Sequence, residues 1–189
     1  MAASNWESAK EETIRIYGLV EDSIVDGPGL RFGIFVQGCS HDCPGCHNPE
    51  SQPFGCGQIY TLDQIRSKVL ENKLISGVTF SGGEPFDQSD KCAPLAKKLK
   101  QDGHEIWAYS GYLVEDLLEK AKTNSSIESF LNSIDVLVDG PYIDDFQSYE
   151  LKWRGSSNQR LIDMPKTLQA GTVELWEPPA FDFTTPPSW

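Results

Sequence analysis

Three observations predict an α/β fold built on a mainly parallel sheet. Strand-like apolar runs alternate with amphipathic helical ones from Arg31 onward, the pattern of strands joined by crossover helices. Four loops rich in Gly, Ser, Cys or acid each follow directly on a strand-like run, which in a parallel sheet gathers them at one carboxyl edge. A chain of 189 residues that is 39% hydrophobic is large enough for one good core and too small for two.

The elements follow in order. Residues 13–20 read as an edge strand, and 32–36 as a strand that ends in a cysteine-rich loop. Thr61 and Gln64 form a capping-box signature for a helix whose Leu62, Ile65, Val69 and Leu70 share a face. Residues 77–80 form a strand running into Ser81-Gly82-Gly83-Glu84. A helix follows over about 90–101, with Pro94 tolerable in its first turn. Residues 105–109 are the next strand, Leu113, Val114, Leu117, Leu118 and Ala121 mark a short helix, and 134–138 form a strand ending in Asp139-Gly140-Pro141. The chain therefore divides into a polar N-terminal extension (1–13), a catalytic domain (14–166) and a proline-rich, acidic and aromatic tail (167–189), whose proline pairs favour an extended path.

Sixteen Lys and Arg against twenty-eight Asp and Glu leave a net charge of −12, which disfavours direct nucleic-acid binding. No apolar run is long enough for a membrane helix, and the N-terminal stretch is polar and acidic rather than a secretory leader, so a cytoplasmic protein is expected. Five cysteines, three of them clustered, do not suit a disulfide framework. Cys92 keeps helical spacing with Leu95, Ala96 and Leu99 and reads as a core thiol, and Cys56 likewise as a thiol outside any ligand set.

The chemistry is concentrated in Gly38-Cys39-Ser40-His41-Asp42-Cys43-Pro44-Gly45-Cys46. C-x3-C-x2-C supplies three thiolates from one loop and no fourth at matching spacing. Either His41 or His47 completes a Cys3His zinc site, or the three thiolates hold a four-iron cluster with one iron open to a substrate. Thr79-Phe80-Ser81-Gly82-Gly83-Glu84-Pro85 separates the two readings: a zinc knuckle has no use for an apolar strand that ends in a glycine pair and an acid. Glycines let a ligand approach the backbone closely, and a carboxylate can hold an ammonium group.

Together these motifs resemble the radical S-adenosylmethionine (SAM) enzymes. Asp26-Gly27-Pro28-Gly29-Leu30-Arg31 and His47-Asn48-Pro49 resemble segments of the activases that install glycyl radicals. Trp107-Ala108-Tyr109-Ser110-Gly111-Tyr112, Val136-Leu137-Val138-Asp139-Gly140 and Trp153-Arg154-Gly155-Ser156-Ser157-Asn158-Gln159-Arg160 narrow the resemblance to the activators of anaerobic (class III) ribonucleoside-triphosphate reductase. Gly45 stands where many radical SAM proteins have an aromatic residue, a departure these activators share. The resemblance implies a partial (β/α) barrel of the radical SAM type, open on one side. It also implies a 4Fe-4S cluster on Cys39, Cys43 and Cys46, with SAM on the open iron.

Cofactor contacts then fall to Gly45, Cys46, His47, Gly82, Gly83, Glu84, Ser110 and Asp139, and contacts with the partner's glycyl peptide to Asp26 and Gly27. The implied partners are the glycyl radical subunit of the reductase and a flavodoxin- or ferredoxin-type electron donor. The implied reaction is oxidoreductive: SAM is cleaved to a 5′-deoxyadenosyl radical, which takes a hydrogen atom from a reductase glycine. An activase of a formate-lyase-type glycyl radical enzyme is the neighbouring alternative. Tyr109 stands where some related activases carry an acid for a monovalent cation, and Trp153 to Arg160 either reads a carboxylate, lines a docking surface or closes the barrel edge with a Trp-Arg stack. A β-branched residue at Gly83 is expected to block SAM while sparing the cluster.

Overall fold

The computed structural model describes residues 12–178; the N-terminal extension up to residue 11 and the proline-rich end from residue 179 lie outside it. Seven strands make one sheet: β1 (Thr13–Ser23), β2 (Arg31–Val36), β3 (Gln58–Thr61), β4 (Gly77–Gly82), β5 (Glu105–Tyr109), β6 (Val136–Asp139) and β7 (Arg160–Asp163). Their order is β3-β1-β2-β4-β5-β6-β7. Five helices accompany them: α1 (Leu62–Glu71), α2 (Ser89–Gln101), α3 (Val114–Ala121), α4 (Ser125–Leu131) and α5 (Met164–Ala170).

The sheet is mixed, which corrects the expectation of a mainly parallel one. β2, β4, β5 and β6 pair in parallel, but β1 is antiparallel to β2 and to β3, and β7 is antiparallel to β6. The reason lies in the connections. Parallel neighbours need a crossover, which α1, α2 and the α3–α4 pair supply; β1 turns directly into β2, and β6 reaches β7 with no helix longer than a single 3-10 turn between them. Edges β3 and β7 do not pair with each other, so among the described residues the sheet is open.

Period-two alternation sorts the strand residues to two faces. Phe32, Ile34 and Val36 of β2, Val78 and Phe80 of β4, Ile106 and Ala108 of β5 and Leu137 of β6 pack against α1–α4 in one continuous core. Leu62, Ile65 and Val69 of α1 fill it as their spacing predicts, and both bonds of the Thr61–Gln64 capping box are made, at 2.8 and 3.1 Å. Such a cap contributes about 1 kcal/mol. Cys92 is fully buried in the same core. Pro94 lies in the second turn of α2 rather than the first, because the helix begins at Ser89 behind a 3-10 turn over Pro85–Gln88. The carbonyl it leaves unpartnered belongs to Asp90, an exposed residue where water can reach it.

The other face carries fewer and larger side chains. Trp107, Val136 and Val138 pack with Tyr109, Trp153, Leu161 and Trp176. Arg31 is fully buried here. It donates to Thr79 Oγ1 at 2.7 Å and Val78 O at 3.0 Å, pairs with Glu105 at 2.8 Å and lies 5.2 Å above the Trp107 ring. An arginine so buried requires that full set of partners, and burial pulls its pKa down from the ordinary value. Thr79 Oγ1 in turn donates to Asp26 O at 2.7 Å, so this network pins the turn between β1 and β2 against the sheet.

The chain past β7 remains attached to the domain. α5 spans the 166/167 boundary drawn from composition, starting under an Asp163 cap and ending at Gly171 in the left-handed conformation. Leu175 bridges to Ile162, and Trp176 N donates to Leu161 O at 2.8 Å.

Candidate functional site

The strand-end loops meet at a cavity of about 520 Å³. Cys39, Cys43, Cys46 and His47 come to it from the loop after β2, Gly82, Gly83 and Glu84 from the end of β4, Ser110 and Gly111 from the loop after β5, and Asp26 from the β1–β2 turn.

The cysteine loop is held from below and from the side. Gln37 is buried and donates through Nε2 to Glu50 O (3.0 Å) and Pro53 O (2.8 Å); Gly38 N donates to Ser51 O and Cys39 N to Gln52 O. On the other flank Gly83 N donates to Val36 O and Glu84 N to Gly38 O, each at 2.8 Å. This flank shows why glycines are required. A Cβ on Gly82, whose φ is +94°, would lie 2.7 Å from the Phe35 and Val36 backbone, and one on Gly83 would overlap the Gly38 carbonyl. The pair permits two backbones to touch, and its remaining backbone surface lines the cavity.

Glu84 is almost completely buried and collects donors from three loops. Oε1 accepts from Phe86 N at 3.0 Å; Oε2 accepts from Gly111 N at 2.8 Å and from His41 Nε2 at 3.0 Å; Ser110 Oγ donates to the same carboxylate at 3.1 Å. That bond to Glu84 holds the His41 pKa above its ordinary value. The His41 ring covers Gly111, where a Cβ would lie 2.5 Å from it, and meets Tyr112 edge-on at 4.3 Å. Tyr112 shares a hydrogen bond with Ser40 at 3.0 Å, and Ser40 N donates to Asp87 at 2.8 Å. Ser40 and His41 thus tie the cysteine loop to the loops after β4 and β5. Sequence reasoning weighed His41 only as a zinc ligand; its four-residue neighbourhood carries no signal for a partner 43 positions away.

Other expected residues lie elsewhere. Asp139 is fully buried but is not among the residues lining the cavity. Its carboxylate accepts from Val114 N at 2.8 Å and from Arg160 Nε at 3.0 Å and Nη2, while Arg160 also pairs with Glu115 at 2.7 Å. Gly45, at φ +72°, packs against Asp144, and Gly27, at φ +139°, against Arg31 and Trp107. Neither lines the cavity. Asp26 does, and it accepts a bond from Ser23 Oγ. Tyr109 lines it too, with its hydroxyl donating to Trp153 O at 2.9 Å and its pKa raised by burial.

The donor chemistry fits an iron-sulfur group. Three soft thiols of one loop share a cavity wall, and both candidate histidines have other neighbours: His41 bonds to Glu84, and the His47 ring lies tilted against Tyr142 at 4.6 Å. Among the described residues no three His, Cys, Asp or Glu side chains are gathered closely enough for a single metal ion. Burial pushes the Cys39 thiol up to about 11, with Glu84 and Asp87 adding to the effect, and raises that of Cys43.

Fold and cavity define an open α/β protein with three cysteines of one loop on the wall of a strand-end cavity, and residues 25–162 match the family described as "4Fe-4S single cluster domain". The chain is 35% identical over 144 residues to the anaerobic ribonucleoside-triphosphate reductase-activating protein of Escherichia coli K12, covering 72% of this chain and 90% of that one. It is 33% identical to the protein of the same description from Enterobacteria phage T4, over 72% and 86% of the two chains. The chain belongs to the family of anaerobic ribonucleoside-triphosphate reductase-activating proteins. Among solved structures, QueE from E. coli overlaps 52% of each chain at a TM-score of 0.42 and 14% identity, too small a likeness to bear on the fold.

Proposed function

We propose that this protein is a radical SAM activase, an oxidoreductase that acts on the glycyl radical subunit of anaerobic ribonucleoside-triphosphate reductase from a cytoplasmic location. The observation that carries the reading is the meeting of Cys39, Cys43 and Cys46 with the Gly82–Glu84 strand end on one cavity wall. Family membership supports the same partner. When bound, a 4Fe-4S cluster and SAM supply a 5′-deoxyadenosyl radical that takes a hydrogen atom from a reductase glycine.

The residues of the chain have separable tasks in this reading. Cys39, Cys43 and Cys46 hold the cluster and leave one iron open. Backbone groups of Gly82, Gly83, Cys46 and His47 form the polar shelf for the methionine end and the nucleoside. Glu84 and Ser110, whose polar atoms already satisfy one another, act as positioning residues that fix the three loops in register. Asp139 acts at greater distance, by locking Arg160 and the start of α3. Gly45 keeps its loop close to Asp144, and Gly27 keeps the Asp26 turn against Arg31, so that Asp26 faces incoming glycyl peptide. The domain works as a partial barrel whose open side admits that peptide, and a flavodoxin- or ferredoxin-type protein delivers the electron. Enclosure of the reacting atoms keeps water and oxygen away.

Reductase carrying α-deuterated glycine tests the reading. Incubated anaerobically with reductant and SAM, the protein should produce a glycine-centred radical and 5′-deoxyadenosine bearing deuterium. A radical on a formate-lyase-type partner alone would move the assignment to that neighbouring class.

A further inference from the structure

The segment Trp153 to Arg160 left three roles open, and the two arginines in it prove to be differently placed. Arg160 is consumed by Asp139 and Glu115. Arg154 lines the cavity shared by the cluster cysteines. Its guanidinium makes one hydrogen bond among the described residues, from Nη1 to Gln159 O at 3.2 Å, and its buried Nε meets no acceptor there. Among the described residues Arg31, Arg66 and Arg160 are each paired with a carboxylate, whereas none pairs with Arg154. A buried guanidinium edge that lacks an acceptor is costly unless a ligand supplies one.

The loop that presents Arg154 is strained and braced. Trp153 is a non-glycine residue at φ +57°, which turns its ring onto Trp107 and Trp176 at 5.7 Å each. Gln159 Oε1 accepts from Gly155 N at 2.8 Å and from Ser156 N at 3.2 Å, and Gln159 Nε2 donates to Gly140 O at 3.0 Å. A left-handed tryptophan persists only where the surroundings over-determine it, and such positions collect at ligand sites. The same cavity wall includes Leu151, the exposed Lys152, and Ile24 and Val25, which are 74% and 70% exposed. On a chain of net charge −12, that wall joins cations to apolar side chains open to solvent.

We propose that Arg154 anchors a carboxylate of the partner polypeptide, whose neighbouring apolar residue seats against Ile24, Val25 and Leu151. The inference rests on the reading of a protein substrate given above and names the recognition chemistry at its site. A guanidinium offers two parallel N–H donors to a carboxylate, a geometry that an ammonium does not reproduce. On a chain of net charge −12 a cationic anchor at the cavity wall gives an incoming carboxylate a defined partner, and so a role in specificity as well as affinity.

The test compares wild type, Arg154→Ala and Arg154→Lys, each with its cluster content checked, for the Kd of anaerobic ribonucleoside-triphosphate reductase under anaerobic conditions. Arg154→Ala should weaken binding about ten- to a hundredfold and Arg154→Lys less, with the SAM-induced change in the reduced-cluster spectrum retained in both. Wild-type binding should also weaken as salt rises, a measurement that needs no variant to fold. An unchanged Kd, or a wild-type Kd insensitive to salt, overturns the proposal. Loss of the SAM response at unchanged Kd overturns it in favour of the carboxylate of SAM as the ligand. The reading beneath it fails separately, if wild type binds the reductase tightly yet forms no radical on it.

Discussion

At the scale of single residues, cysteine position decides chemistry and cysteine burial decides stability. Cys39, Cys43 and Cys46 share the cavity wall, while Cys92 is buried in the core and Cys56 is exposed. Alanine at any of the first three should remove iron and sulfide from the anaerobically reconstituted protein and end SAM cleavage. Cys92→Ala should keep the cluster and lower unfolding stability by about 1 kcal/mol, the cost of one small cavity in a packed core, and Cys56→Ala should change neither. Iron and sulfide analysis with urea titration of each variant checks the set; a cluster lost with Cys56 and kept without Cys43 would refute the ligand assignment. The cysteines were legible because three ligands within eight residues are a local pattern. Glu84, His41 and Asp139 were legible only as residue types, since what each does depends on partners 21 to 43 positions away.

At the scale of elements, the glycine pair and the β6–β7 pairing carry the mechanics. Gly83 was expected to leave room for a ligand, but the nearest obstruction to a side chain there is the Gly38 carbonyl next to Cys39. Gly83→Val should therefore displace the cysteine loop and lower cluster content together with SAM binding, rather than sparing the cluster; iron content beside the SAM-induced spectral change separates the two outcomes. At the other end of the site, Arg160→Ala should cost about 3 kcal/mol, because it strands the fully buried Asp139 carboxylate. Glu115 shares this arginine, and its carboxyl is held below the ordinary range chiefly by that hydrogen bond. A lowered folded-state pKa gives stability that is present above the unfolded value and is lost as pH falls through the folded one. The stability difference between wild type and Glu115→Gln should thus be full near neutrality and shrink on acidification, as denaturant melts across that range would show. Strands β2, β4, β5 and β6 and helices α1–α3 were readable from periodicity. β3, α4, β7 and α5 were not: they are no longer than the readable strands or little more, but their sequences mix polar with apolar residues, so they carry neither a continuous apolar run nor enough helical turns to establish a period.

At the scale of the whole molecule, composition and connectivity diverge. Alternating strands and helices predict a parallel sheet, and four adjacent strands obey; hairpin-like returns at both ends make the whole sheet mixed, and nothing in strand composition marks where a crossover helix is missing. Prolines and acids mark residues from 167 onward as an extended segment; that boundary falls inside α5, and Trp176 beyond it meets Trp107 at 5.1 Å on the face away from α1–α4. Trp107 is fully buried there, with Trp153, Tyr109 and the Arg31 network around it. Trp176 therefore acts as a cover for the same aromatic group that braces the Arg154 loop. Trp176→Ala should remove edge-to-face contacts to both Trp107 and Trp153 and cost about 2 kcal/mol, less than a fully buried tryptophan because its own side chain is only half-buried. Denaturant titration of Trp176→Ala beside wild type decides the point: an unchanged midpoint would mean that the segment after α5 adds nothing to the aromatic group.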